Sequence, residues 1–191
     1  MPGFPSAARL SSRLAIGALL TALQCLTAAG AQTPGMAREN AVKAAFLSKF
    51  AGFVDWPAGT PGRYGQPLVI GVMGSDSVAA DLDQIIGASS ADGSTVVVRR
   101  LRDGESPADL HVLFIGTSRE TRVREMAAAV RGPVLIVTEH EDGLRLGGVL
   151  NFVVDGGRVR FTASVPAATA RGLRLSARLL AVAQAVEGGG R

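Results

Sequence analysis

The chain has two histidines, His111 and His140, the residue type most often used as a catalytic base, and neither sits in a pattern that surrounds such a base with partners. His111 opens the apolar run Val112 to Ile115, which reads as a buried strand, so it is expected to be a structural imidazole. His140 stands in His140-Glu141-Asp142-Gly143, which reads as a solvated acidic turn, whereas a protein metal site needs three or four ligands that converge. Asp81 and Asp83 lie two apart on a helical pattern, point to different sides, and cannot act as acid and base on one substrate. No nucleophile elbow, phosphate loop, dinucleotide fingerprint or zinc-protease pattern occurs. The expectation is a non-enzymatic chain with no catalytic residue, metal or cofactor. A hydrolase would require the fold to bring His111 or His140 to a distant acid and nucleophile.

Two other groups of residues suggest binding. Gly74-Ser75 and Gly116-Thr117-Ser118 each follow an apolar strand and precede a helix, where backbone N–H groups can hold a phosphate or carboxylate, although strand-to-helix turns and N-caps need the same residues. The stretch Val42 to Pro57 holds four of the nine aromatic residues, Phe46, Phe50, Phe53 and Trp56, with the phenylalanines at i, i+4, i+7. Phe46 and Phe50 are expected in the core. Phe53 and Trp56, near the helix end, are candidates for an exposed contact with a partner. The basic C-terminal end, with Arg171, Arg174 and Arg178, is a second candidate, for contact with anionic headgroups or an acidic partner, beside the simpler reading of a solvated face.

These residues require a framework of alternating elements. Asn40 is placed to cap a helix running to about Asp55, which Pro57 stops. Leu68 to Val72 reads as a buried strand, followed by a helix over Val78 to Ile86. Thr95 to Val98 and Val112 to Ile115 read as internal strands, the first bounded by Arg99-Arg100. A helix around Arg119 to Val130 and a strand Val134 to Val137 follow. Leu150 to Val154 and Arg158 to Thr162 flank Asp155-Gly156-Gly157, a hairpin turn. Pro166 opens a short helix that Gly172 ends, Leu173-Arg174-Leu175 is extended, and Ser176 caps a last helix buried through Leu179, Val182 and Val186. The expected fold is α/β and three-layered: a mixed, mostly parallel sheet with helices on both faces and a C-terminal antiparallel hairpin.

Arg9 and Arg13 precede the apolar run Leu14 to Leu26, and Ala29-Gly30-Ala31 offers a cleavage pattern before Gln32, so residues 1–31 read as a cleavable signal peptide and the mature chain as periplasmic. Residues 32–39 read as a flexible linker, 40–187 as one domain and 188–191 as a disordered tail. Cys25 falls in the leader, so the mature chain has no disulfide and no thiolate nucleophile. Without Arg9 and Arg13 the chain carries 18 basic against 16 acidic residues, too near neutrality to suggest a nucleic-acid partner. No later segment reaches the roughly 20 apolar residues of a membrane span, so membrane insertion of the mature chain is not expected. Its aliphatic content is compatible with a homodimer.

Lys43-Ala44-Ala45-Phe46-Leu47 with Phe50, Phe53 and Trp56-Pro57 is the first part of a longer pattern. It continues with Gly147-Gly148-Val149-Leu150-Asn151-Phe152, Arg158-Val159-Arg160-Phe161 and Gly172 to Leu180, and together these resemble the YfiR family from Ala41 to Val186. The resemblance implies a small periplasmic regulator that binds the periplasmic portion of an inner-membrane signalling protein, a diguanylate cyclase, and thereby limits cyclic di-GMP and biofilm growth. Ser48-Lys49 and Ala163-Ser164 depart from the family's usual Tyr-Asn and Ile-Asn, and the cysteines that form disulfides in many relatives are absent, so redox control does not carry over. The alternative from the residues alone is a small-ligand sensory module built on the turns at Gly74 and Gly116.

Overall fold

The computed structural model describes residues 34–60, 67–89 and 96–188. The expected leader over 1–31, residues 32–33, the loop over 61–66, Thr95 and residues 189–191 lie outside them.

Helix α1 runs Pro34–Phe50. Pro34 suits a first turn, where its missing N–H would be unpaired anyway. Residues 34–39, expected as linker, are thus helical, and Asn40 is not the cap. The far end also differs from expectation: the helix stops at Phe50, Ala51–Phe53 tighten into a 3-10 turn, and Val54–Asp55 form β1. Gly, Phe, Val and Asp are weak helix formers, and Val54 and Asp55 find antiparallel partners in Leu175 and Arg174, which form β8. Local periodicity cannot show a strand partner so distant in sequence.

The remaining elements are β2 (Leu68–Met73), α2 (Asp76–Ser89), β3 (Val96–Leu101), β4 (Val112–Ile115), α3 (Glu120–Ala129), β5 (Leu135–Thr138), β6 (Leu150–Asp155), β7 (Arg158–Ser164), α4 (Val165–Ala170), α5 (Ala177–Val182) and β9 (Ala185–Glu187). The main sheet has the order β3-β2-β4-β5-β6-β7-β9. Strands β2 to β6 are parallel, β6 and β7 form the expected antiparallel hairpin, and β9 adds parallel to β7. Strands β4 and β5 are buried at every position, as parallel strands covered on both faces must be.

The sheet divides two cores. Ile70, Val72, Val112, Phe114, Leu135, Val137, Phe152 and Phe161 face α1, α2, α4 and α5. Met73, Leu113, Ile115 and Ile136 face Val123, Met126 and Val130 of α3 and its C-terminal end. This is the expected three-layer α/β fold with helices on both faces. Ser164 and Ser176 cap α4 and α5, their side chains accepting from Ala167 N and Leu179 N.

Two strand expectations change. β3 was expected to be internal and to end before Arg99; it includes Arg99 and Arg100 and, among the described residues, lies at the sheet edge paired only with β2, where Val97 is exposed and charged side chains reach water. The last helix ends at Val182, which is 68% exposed, and Val186 lies in β9 opposite Ala163. Gln184 N donates to Phe161 O at 2.8 Å, so pairing with the open edge of β7 prevails over another helical turn. Among the described residues no helix is long and apolar enough to cross a membrane.

Candidate functional site

The aromatic spacing in α1 does what helical geometry dictates. Phe46 and Phe50 stack at 5.7 Å and meet the hairpin rings of Phe152 and Phe161, with Phe50 edge-on to Phe161 at 5.1 Å. Phe53 leaves that stripe because the helix ends before it, and 37% of it is exposed. It borders a groove of about 720 Å³ between α1 and α5, whose walls include Val42, Phe46, Phe161, Leu179 and Val182. Arg38, Lys49 and Arg178 also line the groove, and none of the three makes an ion pair among the described residues. The groove is therefore apolar at its floor and positive along its sides.

Of the five residues expected to contact a partner, this groove collects Phe53 and Arg178. Trp56 is partly buried: its indole Nε1 donates to Ala51 O at 3.4 Å, and its ring stands edge-on to His111 at 6.2 Å. It turns toward the core because β1 carries the chain away from the groove. Arg174 is exposed on β8 opposite Asp55. Arg171 is half-buried, its Nη2 donating to Ala127 O at 3.0 Å, and burial pushes its guanidinium pKa down.

Both imidazoles are held by backbone amides. His111 is buried, and its Nδ1 accepts from Val69 N at 3.0 Å. His140 is also buried, contrary to the solvated turn expected, and its Nδ1 accepts from Asp142 N at 3.1 Å. In a Ser-His-Asp arrangement the base donates its Nδ1–H to an acid; an Nδ1 that accepts an amide proton is not available for that role. Asp142 is gripped by Arg145 at 2.7 and 3.2 Å, a hydrogen-bonded pair that holds its carboxyl below the usual carboxylate range. Among the described residues no group of three or more His, Cys, Asp or Glu is placed to hold a metal ion.

The turns at Gly74 and Gly116 stand where strand order reverses between β2 and β4. They press on each other. Gly74 has a φ of +80°, and a Cβ there would lie 2.6 Å from the Gly116 carbonyl oxygen, so only glycine fits. Ser75 Oγ accepts from Val78 N at 3.4 Å as a helix cap, and Thr117 Oγ1 accepts from Arg119 N at 3.3 Å. Ser118 borders a separate cavity of about 490 Å³ with Lys43, Glu139, His140 and Phe152.

Two features of that region escape a reading by motif. Lys43 is buried on α1 and pairs with Glu139 at 2.8 Å, at the carboxyl end of β5. The signal was present: Lys43, Leu47 and Phe50 share one helical face, so a buried cation there demands an acid, and the chain offers Glu139, Glu141 and Asp142. The second is the segment Asp142 to Asn151. Thr138 Oγ1 donates to Asn151 Oδ1 at 2.7 Å, and Gly143 and Gly148 pack onto this pair so closely that a Cβ at Gly143 would fall 2.1 Å from Thr138 Oγ1. Gly147-Gly148-Val149-Leu150-Asn151-Phe152 is therefore a packing motif.

A family model described as YfiR/HmsC-like matches residues 40–184. No curated protein matches the chain.

Proposed function

This chain belongs to the YfiR/HmsC-like family, and from that premise we propose that it is a non-enzymatic periplasmic protein that binds the extracytoplasmic portion of a membrane-anchored diguanylate cyclase and holds it idle. Membership of this family supports, in general terms, a periplasmic regulator of cyclic di-GMP signalling. The observation that carries the contact reading is the groove between α1 and α5. A mostly apolar floor with Phe53 and Val182 open to water is costly to leave exposed, and large apolar clefts of this kind mark contact sites. Three cations along it, without ion pairs among the described residues, favour an apolar segment flanked by acids, such as an amphipathic helix of the partner. The two imidazoles whose Nδ1 atoms accept from backbone amides support action by contact instead of bond-making.

The test is a gene deletion complemented with wild-type or Val182→Asp protein. Deletion should raise cyclic di-GMP, wild type should restore it, and Val182→Asp should fold normally, since Val182 is 68% exposed, yet neither restore it nor co-purify the membrane protein. An unchanged cyclic di-GMP level on deletion, with no membrane sensor co-purifying, refutes the reading. A dimer that Val182→Asp dissociates without altering cyclic di-GMP would assign the groove to a second copy instead.

A further inference from the structure

The short ladder of β1 and β8 has two ends. Phe53 and Arg178 lie at one, beside the groove; Pro57 and Arg171 lie at the other. At that second end, Pro57, Gly59, Ala167 and Arg171 face Arg131 and Pro133 across a depression of about 800 Å³. Among the described residues its walls are largely apolar and no acidic residue lines it, yet it holds the guanidinium groups of Arg131 and Arg171.

Arg171 is the less ordinary of the two. A guanidinium has five N–H donors, and among the described residues this half-buried one makes a single hydrogen bond, to Ala127 O at 3.0 Å. It makes no ion pair among the described residues. Burial lowers its pKa, so the charge is held against desolvation with no carboxylate among the described residues to offset it. Arg131, exposed on the opposite rim, has no ion pair among the described residues either. Among the described residues, a Cβ built at Gly59 or at Gly132 meets nothing within 4 Å, so neither rim is crowded by them.

We propose that this depression binds a small ligand that carries a carboxylate or a phosphate on an apolar body, with Arg171 as the principal anion contact and Arg131 as a second cation. The planar fork of Arg171 matches the paired oxygens of either headgroup, which a lysine would meet only as a point charge. The apolar body rests on Pro57, Ala167 and Pro133, surfaces with no polar demands of their own. Such a ligand ties the segment after β1 to the end of α4, and so braces the ladder that presents Phe53 and Arg178. The site stands apart from the docking groove, and its test needs no partner.

Isothermal titration calorimetry at low ionic strength, with sodium benzoate, phenyl phosphate and benzyl alcohol as probes, decides the matter; Trp56, the one tryptophan and the residue before Pro57, supplies a second readout by fluorescence. At least one anion should bind saturably at a single site, and benzyl alcohol about tenfold or more weaker, a difference of about 1.4 kcal/mol. The preference between benzoate and phenyl phosphate assigns the headgroup. Arg171→Gln should weaken the anion about tenfold or more and Arg131→Gln several-fold, while Arg145→Gln, whose arginine pairs with Asp142, should leave it unchanged. Arg131 is exposed, so Arg131→Gln remains informative even if Arg171→Gln fails to fold. Saturable binding of neither anion to the folded wild type, or binding that Arg131→Gln and Arg171→Gln leave intact, overturns the proposal.

Discussion

The ion pair of Lys43 with Glu139 ties the first helix to the sheet, and its removal has a calculable cost. The side chains are 11% and 25% exposed and their charged atoms lie 2.8 Å apart. At an effective dielectric of about 20 the attraction is about 6 kcal/mol, which the loss of hydration of the two ions largely cancels. The pair therefore contributes little relative to well-packed apolar side chains, whereas deleting one partner strands the other in a dry site. Lys43→Met keeps most of the apolar stem and removes the charge, so it should cost about 3 kcal/mol. Glu139→Gln should cost somewhat less, about 2 kcal/mol, because Glu139 is the more exposed partner and the amide oxygen still accepts from Lys43. The double variant Lys43→Met/Glu139→Leu should be more stable than either single variant. Urea unfolding followed by Trp56 fluorescence and circular dichroism gives these values, and Lys43→Met should lower Tm by about 6–12 °C for a domain of this size. If both single variants stay within about 0.5 kcal/mol of wild type, the pair behaves as a surface contact and the account of how α1 is fastened is wrong.

Three further expectations concern the packing motif, the exposed helix surface and the acidic loop. Gly143→Ala should cost about 2–3 kcal/mol in urea, because its Cβ collides with Thr138 Oγ1 and Asn151 Oδ1, atoms that already bond each other; a change below about 0.5 kcal/mol would mean that the loop is not seated as described. Gly87→Ala, on the exposed face near the end of α2 with no atom within 4 Å of its Cβ, should stabilise by about 0.5–1 kcal/mol, and a loss of stability would show that this turn of helix is not formed. The Asp142 carboxyl titrates lower folded than unfolded, so its pairing with Arg145 stabilises above the unfolded value, about pH 4, and is lost as pH falls through the lower folded value. Asp142→Asn should therefore be less stable than wild type at neutral pH, with the gap closing below about pH 4; a gap independent of pH would refute the assignment.

The strand and helix types were largely readable because each depends on neighbours in sequence. Val112 to Ile115 and Val134 to Val137 announce buried parallel strands by being apolar throughout, Asp155-Gly156-Gly157 announces a hairpin, and Pro166 and Ser176 announce helix starts. Element boundaries failed where a distant partner intervened. Nothing near Val54 and Asp55 shows that Arg174 and Leu175 wait to pair with them, so a helix was expected through residues that form a turn and a strand. The same holds for Val186, drawn out of a helix by the edge of β7, and for Arg99 and Arg100, whose charges suit a strand only once that strand is known to lie at an edge.

What the chain's residues determine by themselves is the α/β pattern, the absence of a recognised catalytic motif, and the ordered motifs shared with the YfiR/HmsC-like family. Which of those motifs pack and which face outward is a matter of three-dimensional arrangement. Phe53 and Arg178 come to one groove, Trp56 turns inward to His111, and Arg171 goes to a separate depression, though local patterning treats them alike. The physical reason is that exposure and charge pairing are properties of contacts between segments far apart in the chain: Lys43 meets Glu139, and β1 meets β8, only after the sheet has brought them together.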